Sequence, residues 1–175
     1  MKYLQECFIR KNSAELREKL AKIGYKICPC CTFDSSEWLS TMLYIDNNAV
    51  NPIERIEVHG IGYYDELFPF PKENRFEEFV KSNLMKEKPE IDCGENEDLF
   101  LAIAALRDDT DKYQWFFSTG WTIGPNNTPI PDKWVLCDQD TLEDFAWVNN
   151  SPNSYSRDIW KKATIEDLIN HFKTT

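Results

Sequence analysis

Chemistry in this chain begins with its cysteines. Cys28-Pro29-Cys30-Cys31 holds half of the six in the sequence. Cys28 and Cys31 form a CxxC, the spacing of zinc sites and of thiol–disulfide oxidoreductases, because two sulfurs so placed reach one ion or each other. Zinc takes four ligands, and the sequence has no second CxxC. The other donors must therefore come from Cys30, Cys7, Cys93, Cys137, His59 or His171. For redox chemistry, the cysteines follow a strand–helix–strand-like opening, as in a thioredoxin-like chain. Against it, the following TFDSSEW is a poor helix start, and no later proline segment resembles the usual cis-proline strand end. The third reading is plain packing, with reduced thiols at a strand end.

Other chemistries find little support. There are two histidines, His59 and His171, and nothing in the sequence aims His59 at Cys30 or Cys31 as a nucleophile–base pair. No Walker-type loop, GxSxG or HExxH occurs. Asp108, Asp109 and Asp111 could gather a hard cation, yet the stretch lacks the glycine and distal glutamate of an EF-hand loop. Carboxylates also crowd Glu87–Asp111 and Asp138–Asp144. Such acidic runs permit a nucleic-acid mimic that inhibits a host enzyme, or simply a solvated surface. Five of the six tryptophans (Trp115, Trp121, Trp134, Trp147 and Trp160) fall in the second half. Strand aromatics usually fill a core. Beside Asn-rich loops they could instead line a groove, with Trp121 and Trp134, which bracket GPNNTPIPD, as its walls. The expected ligand site therefore combines Trp121 and Trp134 with Asp108, Asp109 and Asp111, and the candidate metal ligands are Cys28 and Cys31.

Composition narrows the setting. The 175 residues, 42% hydrophobic and 14% aromatic with few glycines, suit a packed globule. The net charge of −10 disfavours direct nucleic-acid binding. It is uneven: residues 1–26 carry seven Lys/Arg against three Glu, a solvated helix face or a basic docking face. No apolar run is long enough to cross a membrane. The opening MKYLQECFIRK lacks the apolar core of a secretory signal. The expectation is a cytoplasmic protein whose cysteines are thiols or metal ligands rather than disulfides.

The positioning elements read as follows. Leu99–Leu106 (LFLAIAAL) is apolar on every helical face and belongs at the centre of the fold. Asn96 is its N-cap, with Glu97 and Asp98 in its first turn. Upstream, a strand at Cys7–Arg10 leads to a helix that Asn12 and Glu15 would cap and Gly24 would end, then to a strand at Tyr25–Ile27. Glu37–Ile45 and Ile53–Tyr64 form a hairpin in which Arg55, Glu57 and His59 make the wet face. Phe76, Phe79 and Val80 indicate a short helix. Lys81–Glu90 reads as a linker between a lobe of residues 1–85 and one of 90–175; the alternative is one compact domain sharing a core. Tyr113–Phe117, Thr119–Ile123, Trp134–Cys137 and Ile159–Lys161 read as strands, GPNNTPIPD as a loop and Asp138–Val148 as an amphipathic helix. Thr164 and Asp167 open the last helix. The class is α+β: short mixed or antiparallel sheets packed by four to five helices. Phe8–Leu20 weakly echoes Trp160–Phe172, through an internal strand–helix repeat or through shared capping chemistry.

FIRKNSAELREKLAKIGY, DCGENEDLFLAIAALRDDTDKYQWF and WKKATIEDLINHF resemble stretches of small proteins from prophages and mobile elements of gut bacteria. The resemblance spans about half the chain and implies a phage-type accessory context, with no activity or site residues attached. The expected function is a non-enzymatic accessory protein that binds a protein partner or small ligand, needing no cofactor. The alternatives are a CxxC-centred zinc or thiol-redox protein and an acidic inhibitor.

Overall fold

The computed structural model describes residues 3–28, 36–46, 53–61, 75–118, 122–123, 129–130, 134–140 and 160–173. It divides into two units, Gln5–Ala104, and Ala105–Thr175 with Met1–Leu4. The polar Lys81–Glu90 stretch lies inside the first.

The first unit is built on five strands: β1 (Cys7–Ile9), β2 (Lys26–Ile27), β3 (Trp38–Asp46), β4 (Ile53–Ile61) and β5 (Ile91–Asp92). Their order is β2-β4-β3-β1-β5. β3 and β4 make the anticipated antiparallel hairpin, in unbroken register from Trp38↔Ile61 to Asp46↔Ile53. The outer strands β2 and β5 run parallel to β4 and β1. Side chains alternate across the sheet, so Cys7, Thr41 and Val58 share one face, and Phe8, Ser40 and His59 share the other.

Helices α1 (Ala14–Ile23) and α3 (Glu97–Ala104) belong to the Cys7 side. The Cys7 thiol lies 3.7 Å from the Phe100 carbonyl, and the Tyr25 hydroxyl donates to Ala104 O at 3.0 Å. Helix α2 (Arg75–Leu84) covers part of the opposite face, where Phe8 meets Phe76 and Phe79 edge-on.

Local capping explains where the helices begin and end. Asn96 caps α3 by accepting from Leu99 N at 3.0 Å, as anticipated. Gly24, at φ 118°, closes α1, with the Tyr25 amide reaching back to Leu20 O. The start of α1 differs by one residue. Ser13 is the N-cap, accepting from Leu16 N at 3.2 Å, while Asn12 donates its amide to Ser36 O. Both residue types cap well; the Asn12 oxygen that would cap accepts instead from the Arg17 guanidinium.

The apolar run also leaves the helix early. α3 stops at Ala104 because the next backbone groups have other partners. Ala105 O accepts from the Gln114 side chain, and Leu106 O accepts from Leu4 N. Leu99, Phe100, Ala102, Ile103 and Ala104 are buried and Leu101 half-buried.

The second unit contains β6 (Trp115–Ser118), β7 (Thr122–Ile123), β8 (Pro129–Ile130), β9 (Trp134–Leu136) and β10 (Trp160–Lys162). Three form an antiparallel sheet in the order β10-β6-β9. β7 and β8 pair separately, so the sequence GPNNTPIPD is not loop throughout. Among the described residues, Pro129 opens a strand paired on one side, a position where its missing N–H does no harm. Asp138–Asp140 are not helical; the rest of the helix expected over Asp138–Val148 lies outside the described residues. Helix α4 (Ile165–Lys173) opens with a reciprocal cap in which Thr164 N donates to Asp167 Oδ2 and Asp167 N to Thr164 Oγ1.

The described residues thus form an α+β fold with four helices. The two echoing segments share a local strand–helix form in different settings. β1 lies inside its sheet and β10 at an edge.

Candidate functional site

Strand β4 carries the residues that matter most. Its alternation is as expected, with Ile56 and Val58 buried on one face. The other face is not wet: Glu57 is 4% exposed and His59 half-buried. The physical reason is the neighbouring chain. β4 lies between β2 and β3, and the face continues through Ser40 of β3 to Phe8 of β1, where α2 covers it.

Glu57 and His59 are two residues apart and so project from the same side. His59 Nε2 lies 3.3 Å from Glu57 Oε2. Burial lowers the His59 pKa despite the opposing pull of Glu57, which favours the neutral imidazole. Cys28 follows β2, one residue beyond the Ile27↔Val58 pair, and its amide donates to Val58 O at 3.1 Å. That register brings its sulfur to the same spot, buried at 5% exposure.

The Cys28 sulfur, a Glu57 carboxylate oxygen and a His59 ring nitrogen all lie within 4.8 Å of one another. For metal–N and metal–O bonds of ~2.1 Å, the edge of a tetrahedron is about 3.4 Å. The 3.3 Å His59–Glu57 separation fits that edge.

The oxidation state of the cysteines departs from expectation. Cys28 is disulfide-bonded, against the expectation of thiols or metal ligands rather than disulfides, though a CxxC of the thiol–disulfide kind includes that state. Cys7, Cys93 and Cys137 are buried thiols outside any disulfide. Burial, with Cys93 close by, pushes the Cys7 thiol well up, and Cys7 belongs to the face opposite His59. Cys137 and His171 are in the second unit. Cys30 and Cys31 lie outside the described residues. Of the donors named from sequence, the fold brings His59 to Cys28 and adds Glu57. An acid two residues from a histidine in a strand was the available signal for Glu57, but a wet-face reading hid it.

Polar groups beside the site are tightly held. Ser40, opposite His59, donates to buried Glu90, which also pairs with Lys86 at 2.5 Å. Asn83 exchanges two hydrogen bonds with the Glu90 backbone. Burial raises the Glu90 pKa, outweighing Lys86 and Ser40.

In the expected ligand site, the carboxylates of the acidic turn differ in their partners. Asp109 forms a two-pronged pair with Arg107 at 2.8 Å, which holds its carboxyl well below the usual range. Lys162 donates to Thr110 O at 2.5 Å and lies 3.9 Å from Asp111. Asp108 is exposed. The turn is thus braced by cations from its own unit. Trp134 is half-buried in β9 and stacks on both Phe117 (5.0 Å) and His171 (4.0 Å). Trp121 lies outside the described residues.

No described helix is long and apolar enough to cross a membrane. No family model, curated protein or solved structure matches the chain.

Proposed function

We propose that this chain is an accessory protein that acts by binding rather than by catalysis, and that a zinc-class ion shapes its five-stranded sheet. The observation that supports this is the convergence of Cys28, Glu57 and His59. Sulfur, imidazole and carboxylate together suit zinc or its transition-metal neighbours, whereas calcium and magnesium prefer oxygen alone. The CxxC spacing makes Cys31 the first candidate for a fourth donor. The resemblance of three sequence blocks to phage-borne proteins agrees with an accessory role.

The test is elemental analysis of the full chain, purified under reductant, loaded with zinc and desalted. One zinc per chain is expected, falling to trace in His59→Ala and in Glu57→Gln. Trace zinc in the wild type overturns the reading.

A second reading has its own observation. Leu136 of β9 is 42% exposed, on the sheet face where His171 and Phe172 of α4 already pack against Trp115 and Trp134. The apolar margin that α4 leaves open at Leu136 suits a protein partner. It suits a stacked base or sugar less well, because the Trp134 ring is already engaged.

A further inference from the structure

We infer that the oxidation state of Cys28 controls whether the Cys28–Glu57–His59 site holds metal. The inference rests on the zinc reading above and adds a regulator to that site, namely a small-molecule disulfide of the glutathione type.

The observations are two. Cys28 contributes one of the three converging donors, and in the structure the same sulfur is in a disulfide. A thiolate is the form that ligates metal. A sulfur in a disulfide has given up the charge that makes it a strong ligand. Glu57 and His59 remain in place in either state, since β4 is held by its nine-residue pairing with β3. Oxidation therefore removes the Cys28 donor and leaves a two-residue remnant, too few for tight zinc binding.

The exchange balances as follows. The cysteine destined to pair with Cys28 attacks one sulfur of the small disulfide as a thiolate, forming a mixed disulfide and releasing one small thiolate. Cys28 then attacks the protein sulfur of that mixed disulfide. The protein disulfide forms and a second small thiolate leaves. Two electrons pass from the protein sulfurs to the small disulfide, whose S–S bond is broken. Zinc departs as the dication once the Cys28 thiolate is gone. Cys28, nearly enclosed, suits the second, resolving step, which needs no access for the small molecule itself. Conversely, bound zinc occupies the thiolate and slows the exchange.

The experiment uses the full-length protein, with zinc and oxidised glutathione as probes. Zinc content and intact mass are followed in reductant, after oxidation, and after re-reduction. Zinc should bind in reductant, fall at least about tenfold on oxidation, and return on re-reduction. Equal zinc in the reduced and oxidised chains overturns the control and leaves the zinc reading standing. Failure of the reduced chain to bind zinc overturns both. Rates give a second arm. His59→Ala, incubated with the same zinc, should form the disulfide at least about tenfold faster than the zinc-loaded wild type. Equal rates mean that metal and disulfide do not compete for Cys28, and the inference falls.

Discussion

Replacing Gln114 by Leu removes the brace that ends α3 and shapes the acidic turn. Gln114 is 1% exposed. Its side-chain amide donates to Ala105 O at 2.6 Å and to Lys112 O at 3.1 Å, and its oxygen accepts from Arg107 N at 3.1 Å. One short side chain thus satisfies three backbone groups on both sides of Asp108–Asp111. Leucine has similar bulk but no hydrogen-bonding atoms.

The Ala105 bond is fully buried, and stranding its carbonyl costs about 1–3 kcal/mol. The other two bonds are partly buried, where water can replace them, so each costs about 0.5–1 kcal/mol. The sum is about 2–5 kcal/mol, a large share of the ~5–15 kcal/mol that holds a domain together. In urea this shifts the unfolding midpoint down by about 1–2 M, followed by tryptophan fluorescence. A shift below about 0.2 M would refute the idea that this side chain, rather than the sheet behind it, holds the turn.

Two further outcomes are expected. Ile103→Asp should abolish the cooperative transition in circular dichroism, because Ile103 is fully buried in α3 and an unpaired charge there costs several kcal/mol; wild-type-like melting would remove α3 from the core. Glu90→Gln should change how stability depends on pH. The native Glu90 pKa is raised by burial, so between the ordinary glutamate value and that raised value the folded state binds more protons than the unfolded state. Wild-type stability therefore falls as pH rises through this window. The variant lacks that slope and gains on the wild type from acid to neutral pH; a stability difference constant across the range counts against a desolvated carboxylate.

What could be read from sequence tracks how local the physics is. The caps at Asn96, Gly24 and Thr164–Asp167 were legible because each is settled within a few residues. Asn12 is not the cap: Ser13 holds that position, and the Asn12 oxygen, the atom a cap would use, accepts from Arg17 while its amide donates to Ser36 O, 24 residues away. The alternation of β4 was legible, but that its polar face is covered was not. That depends on β2, β3 and α2, and alternation reports only that two faces differ. Cys28 was recognisable as a donor and His59 as one candidate among several. Their meeting depends on the parallel β2–β4 pairing, a non-local contact that leaves no trace in spacing. The acidic turn showed its charge in sequence; that Arg107 and Lys162 brace it became clear only in three dimensions.

The same parallel pairing makes the proposed metal measurable without any activity. β2 is a two-residue edge strand whose Ile27 is 49% exposed, an arrangement that frays readily. Its last ladder bond, Cys28 N to Val58 O at 3.1 Å, sits directly behind the three donors. An ion held by Cys28 from one strand and by Glu57 and His59 from the next must be lost, or its ligands separated, before that bond opens. At free zinc about 100 times the dissociation constant, linkage adds ~2.7 kcal/mol to the closed state. Hydrogen exchange at the Cys28 amide of the reduced protein should therefore slow by about 100-fold on zinc addition. Amides of α4, in the other unit, provide the internal control. Zinc that binds without slowing Cys28 exchange is not held between β2 and β4, and the assignment of these three residues as its ligands would then be wrong.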